Sequence, residues 1–80
     1  MTQAIYVLIS AKSGKERALL KELMKQEEVK EGNILYGQYD VMIRIEAEDI
    51  KQIDDFIWKH IRSHPDIQQT QSLVVVSGVK

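Results

Sequence analysis

The 80-residue chain contains no cysteine and only one proline. The absence of cysteine excludes disulfides, thiolate nucleophiles, iron–sulfur clusters and Cys-ligated zinc. A formal net charge of -1 argues against a general nucleic-acid binder, because phosphate contacts require a basic surface. No apolar run approaches the roughly 18 residues of a membrane-spanning helix, and the opening run lacks the basic flank of a signal peptide. We therefore expect a cytoplasmic protein that contacts neither nucleic acid nor a membrane directly.

The length allows a single domain, spanning residues 1–80. Hydrophobic residues make up 44% of the chain and charged residues 29%, as in ordinary globular proteins. A chain this short buries only about 60% of its unfolded surface when it folds alone, so its core is marginal. Because disulfides are excluded, self-association is the expected source of additional stability.

Hydrophobic periodicity predicts the element order β-α-β-β-α-β. The predicted strands are Gln3–Ser10, Val29–Tyr36, Tyr39–Ala47 and Ile67–Val76. The first predicted helix is Lys15–Glu27. The second starts at Glu48 and Asp49 and is stopped by Pro65, and its apolar stripe is Ile50, Ile53, Ile57 and Ile61. Two βαβ crossovers joined by a hairpin are typical of the ferredoxin-like fold. With right-handed crossovers, this α+β fold has a four-stranded antiparallel sheet with two helices on one face.

Three short sequence patterns predict local details of these elements. Ser13 precedes Glu16 by three residues, the spacing of a capping box at a helix start. Gly32 and Asn33 suggest a bulge in the second strand. The pair Gly37-Gln38 predicts a two-residue hairpin turn of type II′.

The first strand and the end of the last strand are apolar on both faces. A sheet covered by helices on one face only should instead alternate apolar and polar residues. One explanation is high β-propensity on a partly exposed surface. The explanation we favour is that a second copy covers the open face of the sheet, which predicts a homodimer.

The sequence contains no catalytic constellation. It lacks a G-x-S-x-G elbow, a G-x-G-x-x-G loop and a Walker-type loop. The central strands also lack the paired aromatics on which similar sheets stack RNA bases. His60 and His64 have the spacing of a helical metal site, but cationic side chains are favoured at a helix C-terminus without any metal. We expect no enzyme activity, no cofactor and no metal.

Two places in the sequence are candidates for ligand binding. The turn Tyr36–Asp40 carries two tyrosines and a carboxylate, which either support the hairpin or hold a small polar ligand. Asp54 and Trp58 lie one turn apart on the same flank of the second helix, beside the isoleucine stripe. This flank either is plain surface or lines a cleft or an interface.

The stretch Leu35–Val41 resembles the RAM domain, which is the effector domain of the Lrp/AsnC transcription regulators. The resemblance continues through the run His64–Ile67 and through Thr70-Gln71-Ser72 into the apolar run Leu73–Val76. Asp66 departs from the family, which commonly has glycine after the proline. The chain begins almost directly with its first strand, so the resemblance is to stand-alone RAM proteins that lack the helix-turn-helix domain.

This resemblance implies a sheet-to-sheet dimer, further assembly into a ring of four dimers, and free amino acids bound between neighbouring dimers. Carried over by position, the implied ligand-binding residues are Ile34, Leu35, Tyr36, Gly37, Gln38, Tyr39, Asp40, Asp54, Trp58, Thr70, Gln71, Ser72, Leu73 and Val74. Turn amides around Gly37 would bind the ligand carboxylate. Asp40 and the Thr70 and Ser72 hydroxyls would accept from the ammonium, and Asp54 and Trp58 would face the ligand side chain.

The favoured function is therefore a non-enzymatic amino-acid sensor that acts through its oligomeric state. Two alternatives remain open at the level of the sequence. One is a small ferredoxin-like enzyme with an active site in the cleft between subunits. The other is a structural partner of full-length Lrp/AsnC regulators.

Overall fold

A computed structural model describes residues 2–76 as one four-stranded antiparallel sheet with two helices against it. The elements are β1 (Gln3–Ala11), α1 (Glu16–Leu23), β2 (Val29–Ile34), β3 (Val41–Ala47), α2 (Ile50–Phe56), a π-helical continuation of α2 (Ile57–Arg62), and β4 (Ile67–Val74). The strand order is β2-β3-β1-β4. This confirms the predicted α+β, ferredoxin-like βαββαβ fold.

One face of the sheet forms the core together with the helices. Every second residue of β1 and β3 is buried, and the helices add a matching apolar face; the buried set is Ile5, Val7, Ile9, Ala11, Leu19, Leu23, Val29, Val41, Ile43, Ile45, Ile53, Phe56 and Ile61. Ile50, which was expected to belong to the isoleucine stripe, is 53% exposed. As the first residue of α2 it lies at the end of the helix, beyond the core.

The predicted capping box and the predicted end of α1 were wrong, although the helix begins at Glu16, within one residue of the predicted start. Ser13 does not cap the helix: Lys15 occupies the N-cap position, and no side chain caps it. The helix ends at Leu23, four residues before the predicted end. After it the hydrogen bonds run over three residues, from the Gln26 N–H to the Leu23 carbonyl and from the Val29 N–H to the Gln26 carbonyl. Such tight turns redirect the chain into β2 within five residues.

A bulge in β2 is present, between Val29 and Glu31. Gly32 follows it and faces α1. A Cβ atom on Gly32 would lie 2.5 Å from Leu20 Cδ1 and 2.8 Å from Met24 Sδ. Glycine at this position therefore lets the side chains of α1 rest directly on the strand.

The connection between β2 and β3 is longer than the predicted two-residue turn. β2 ends at Ile34 and β3 begins at Val41. The Leu35 N–H donates to the Asp40 carbonyl over 2.7 Å and so closes a four-residue loop, 36–39. Gly37 has a φ of +156°. A type II′ turn requires a smaller positive φ, so glycine serves a different backbone shape here.

The open face of the sheet carries the other half of each strand. Tyr6 and Leu8 of β1 and Met42 of β3 are half-buried there, which confirms that β1 is apolar on both faces. β4 ends at Val74 and not at Val76 as predicted, and its register pairs Val74 with Ile5. Val74 therefore lies on the helix side, whereas Leu73 lies on the open face.

Candidate functional site

The loop between β2 and β3 is attached to the end of β1 by Asp40. The Asp40 N–H donates to the Ile9 carbonyl over 2.8 Å. Its carboxylate oxygen Oδ2 accepts from the Ala11 N–H over 3.0 Å. The side chain thus bonds to a strand 29 positions earlier, and not to its own local backbone. A half-buried carboxylate lies at the base of the loop, with the Oδ1 oxygen free of partners within residues 2–76.

The loop itself presents donors to solvent. Tyr36 is fully exposed, and Gly37 and Gln38 are exposed beside it. Within residues 2–76, none of the backbone N–H groups of loop 36–39 donates a hydrogen bond. The Tyr39 hydroxyl donates to Gln71 Oε1 of β4 over 3.2 Å. The structure thereby brings two of the predicted ligand-binding segments into contact.

The second candidate place lies on α2. Asp49 caps this helix, because its Oδ1 accepts from the Gln52 N–H over 3.0 Å. Asp54 and Trp58 are both exposed. They lie on the flank opposite Asp55 and Lys59, which line a cleft beside the α1–β2 connection.

Topology places this outward flank of α2 next to β4. α2 connects β3 to β4, and β1 lies between these two strands in the sheet. A right-handed crossover carries α2 over β1, with α1 on one side and the β4 edge on the other. The flank that carries Asp54 and Trp58 is therefore the one on the side of the β4 edge.

Strand alternation divides the predicted β4 residues between the two faces of the sheet. Thr70 and Ser72 pair with Ile9 and Val7 and, like Val74, lie on the helix side. Gln71 and Leu73 pair with Leu8 and Tyr6 and lie on the open face. Within one chain the predicted residues therefore form two groups. In the described part of the chain, the group on α2 and the helix side of β4 makes no hydrogen bond to the loop group.

Two clefts within residues 2–76 lie away from both groups. They have volumes of about 670 and 500 Å³, and they lie on the other side of α2, the first against the α1–β2 connection and the second against α1. Their walls include Gln26 of the α1–β2 connection, and Lys59 and His60 of the π-helical segment. None of the predicted ligand-binding residues lines either cleft.

The two histidines have other partners. The His60 ring packs against Phe56, with 4.8 Å between ring centroids. His64 lies after the helix, where Nε2 contacts a Glu22 carboxylate oxygen and Nδ1 accepts from the Asp66 N–H over 3.1 Å. His64 therefore holds the turn before β4 against α1. Among residues 2–76, no three metal-ligating side chains converge.

Arg62 was missed by the sequence reasoning. Its guanidinium carbon lies 5.0 Å from the centre of the Trp58 ring, in the range of a cation–π interaction. Its position could have been inferred from the sequence, because Arg62 follows Trp58 by four residues, just as Trp58 follows Asp54.

The chain is a small ferredoxin-like domain, and its two groups of candidate ligand-binding residues, one at loop 36–39 and one on α2, lie on different surfaces. The chain belongs to the Lrp/AsnC ligand-binding domain family, whose model matches residues 4–80. Within residues 2–76, no helix is both long and apolar enough to cross a membrane.

Three individual proteins are similar to this chain in sequence or in fold. The chain is 28% identical over 75 residues to the HTH-type transcriptional regulator FL11 of Pyrococcus abyssi (strain GE5 / Orsay), covering 94% of this chain and 49% of that protein. It therefore spans about half the length of this curated relative. The structure of hypothetical protein PHS023 from Pyrococcus horikoshii shares 33% identity, with a TM-score of 0.89 and coverage of 98% of this chain and 93% of the other.

The third protein is the transcriptional regulator NMB0573 from Neisseria meningitidis, whose structure is a complex with L-Met. It shares 21% identity with this chain at a TM-score of 0.85, covering 98% of this chain and 52% of the regulator. This likeness concerns the fold alone.

Proposed function

We propose that this chain is a non-enzymatic, oligomeric amino-acid sensor. The observation that carries the proposal is loop 36–39, whose backbone N–H groups have no acceptor within residues 2–76 while a carboxylate lies at the base of the loop. Family membership supports it, because the matching family is a ligand-binding domain and its relatives are named as transcriptional regulators. The L-Met complex of the Neisseria protein gives the ligand class a precedent on this fold.

The loop offers complementary groups for both charged ends of an amino acid. The free N–H groups of residues 36–39 can donate to the ligand carboxylate, as turn amides do in anion-binding loops. Asp40 Oδ1 can accept from the ammonium while Oδ2 keeps its bond to Ala11. Hydrogen bonds to charged groups are roughly twice as strong as neutral ones, which favours this arrangement for a zwitterion.

A complete site requires more than one copy of the chain. The loop group and the α2 group lie on different surfaces of one chain, and neither lines the two clefts within residues 2–76. Ligand sites of useful affinity bury most of the ligand surface. We therefore place the site between subunits, with the loop of one copy facing Asp54 and Trp58 of another.

Such a site links the ligand to assembly. A molecule that binds only where two copies meet stabilises the assembled state by mass action. Trp58 and Asp54 would contact the ligand side chain and so determine which amino acid binds. A sensor of this kind can act through full-length Lrp/AsnC regulators with which it assembles.

The test is a thermal-shift screen against the twenty amino acids, followed by titration calorimetry with the best ligand. We expect Asp40→Asn to weaken binding by roughly tenfold to a hundredfold, because it removes a charge-assisted hydrogen bond. Trp58→Ala should weaken binding or change the preferred amino acid.

The matched control is Asp55→Asn, which removes a carboxylate from the opposite, cleft-lining flank of α2 and should leave affinity unchanged. If no amino acid raises the unfolding temperature, the sensor proposal is wrong. If Asp40→Asn and Trp58→Ala both keep full affinity, the site lies elsewhere.

A further inference from the structure

Arg62 is the stacking partner of the exposed Trp58 ring. Its guanidinium carbon lies 5.0 Å from the ring centre. Within residues 2–76, Arg62 forms no ion pair with a carboxylate, and no other aromatic ring stacks on Trp58. Both side chains lie at the surface, and Trp58 is 58% exposed. The guanidinium is therefore held over the ring by the ring itself and not by a neighbouring acid.

Helix geometry explains why these two side chains meet. Arg62 follows Trp58 by four residues, so both lie on one flank of the π-helical segment Ile57–Arg62. Helical side chains lean towards the helix N-terminus, so the long arginine stem reaches back over the preceding turn and brings the guanidinium to the ring. A guanidinium is planar and weakly hydrated, and it therefore stacks on an aromatic face better than an ammonium does.

The contact with Arg62 restricts the orientation of Trp58. An indole ring has two faces, and the guanidinium covers one of them. Rotation about the side-chain bonds of Trp58 would break this contact, so the cation–π interaction favours one rotamer of an otherwise exposed ring. A ring that is ordered before a ligand arrives loses less entropy when the ligand binds. Arg62 thus prepares the other face of the ring for a contact.

The two charges beside Trp58 balance each other. Asp54 lies four residues before the ring and Arg62 four residues after it. Asp54 is exposed, and in the described part of the chain it forms no ion pair. The ring therefore lies between one negative and one positive group. A charged ligand side chain is attracted by one of these groups and repelled by the other, whereas an uncharged side chain meets no such conflict.

We propose that Arg62 is a positioning residue for Trp58, and that Arg62 and Asp54 together make the ligand site selective for amino acids with uncharged side chains. The inference rests on the proposed function, because it takes Trp58 as the contact for the ligand side chain. It adds the chemical class of the ligand and a role for a residue outside the predicted ligand-binding set. An uncharged side chain packs on the free face of the ring.

The orientation of the ring can be measured without a ligand. Trp58 is the only tryptophan of the chain, so tryptophan fluorescence reports on this ring alone. We expect Arg62→Gln to raise the rate constant of acrylamide quenching by about twofold, because the guanidinium no longer covers one face. Arg62→Lys should give an intermediate value, since an ammonium keeps the charge but not the planar group. The matched control Lys59→Gln removes a cation from the opposite flank and should leave quenching unchanged.

Selectivity is measured by titration calorimetry with methionine, lysine and glutamate, which have unbranched side chains of similar length. Arg62→Gln leaves the Asp54 charge unbalanced, so the affinity for lysine relative to methionine should rise by about fivefold or more. Asp54→Asn should raise the relative affinity for glutamate by a similar factor. The double variant is neutral again and should return to the wild-type preference. Thermal unfolding without ligand confirms that each variant is folded.

Three results would overturn the proposal: quenching that Arg62→Gln leaves unchanged, a best ligand with a charged side chain, or affinity ratios that neither single variant changes. The two arms separate this proposal from the sensor function. If no amino acid binds while Arg62→Gln raises quenching, the sensor function is wrong, and Arg62 still orients Trp58. If amino acids bind while neither quenching nor selectivity responds to Arg62→Gln, only the role of Arg62 is wrong.

Discussion

Asp40 has two hydrogen bonds to β1, one through its backbone and one through its carboxylate. The regular pairing of β1 with β3 ends at Ile9 and Val41. The hydrogen bond from the Ala11 N–H to the Asp40 carboxylate adds one further connection between the loop and β1 beyond that point. A buried or half-buried N–H that loses its acceptor costs about 1–3 kcal/mol. Asp40 therefore supports the fold even without any ligand.

We expect Asp40→Ala to lower the free energy of unfolding by about 1–3 kcal/mol, because the Ala11 N–H loses its partner. Asp40→Asn should cost less, since an amide oxygen still accepts the bond. Urea unfolding at a fixed protein concentration measures both. Asp55→Ala, at an exposed helix position, is the control and should change little. Equal stability of Asp40→Ala and the wild type would show that the hydrogen bond between Asp40 and Ala11 does not stabilise the fold.

At the scale of an element, α2 is fixed at its start by reciprocal side-chain bonds. The Asp49 carboxylate accepts from the Gln52 N–H, and the Gln52 side-chain oxygen accepts from the Glu48 N–H over 2.8 Å. The first of these bonds occupies one of the amides that a helix start leaves without partners. Together the two bonds also fix where the helix begins, and with it the direction of the flank that carries Asp54 and Trp58.

Replacing the cap should destabilise the helix. We expect Asp49→Ala to reduce the free energy of unfolding by about 0.5–2 kcal/mol. Glu48→Ala is the matched control, because only the backbone of Glu48 takes part in these bonds. Chemical denaturation monitored by circular dichroism would compare the two variants. A larger loss for Glu48→Ala than for Asp49→Ala would contradict this assignment.

At the scale of the whole molecule, the open sheet face is the surface we propose for the dimer. Its centre is apolar, with Tyr6 and Leu8 half-buried and Leu73 43% exposed. Arg44 and Glu46 lie on the same face and form an ion pair with each other. Their side chains are already about 70% buried, so a partner would cover a charge pair and not a lone charge.

Two neighbouring residues of β4 test this dimer. Leu73→Lys places a charge on the open face, where an unpaired buried ammonium costs several kcal/mol, and it should give a monomer. Val74→Lys makes the same change one residue later on the helix side and should keep the sheet-face pair. Size-exclusion chromatography with light scattering would compare the two. A normal oligomer from Leu73→Lys would argue against the sheet-face dimer.

The sequence alone determined the element order, the fold class and most of the core. These depend on local periodicity: alternation in β1 and β3 and helical spacing from Ile53 to Ile61 are each contained within one element. Glycine and proline likewise marked the loop and the end of the second helix. The family resemblance followed from the same local stretches.

Only the tertiary structure decided which partners distant residues have. The Asp40 bond to Ala11 joins positions 29 apart, and the Tyr39 bond to Gln71 joins positions 32 apart. The face on which Val74 lies depends on its register with β1, which no pattern within β4 specifies. The missing cap at Lys15 and the π-helical geometry under Arg62 likewise follow from packing. The local sequence determines hydrophobic periodicity and secondary-structure propensity. Strand register, loop shape and contacts between elements depend instead on how residues distant in the sequence pack together.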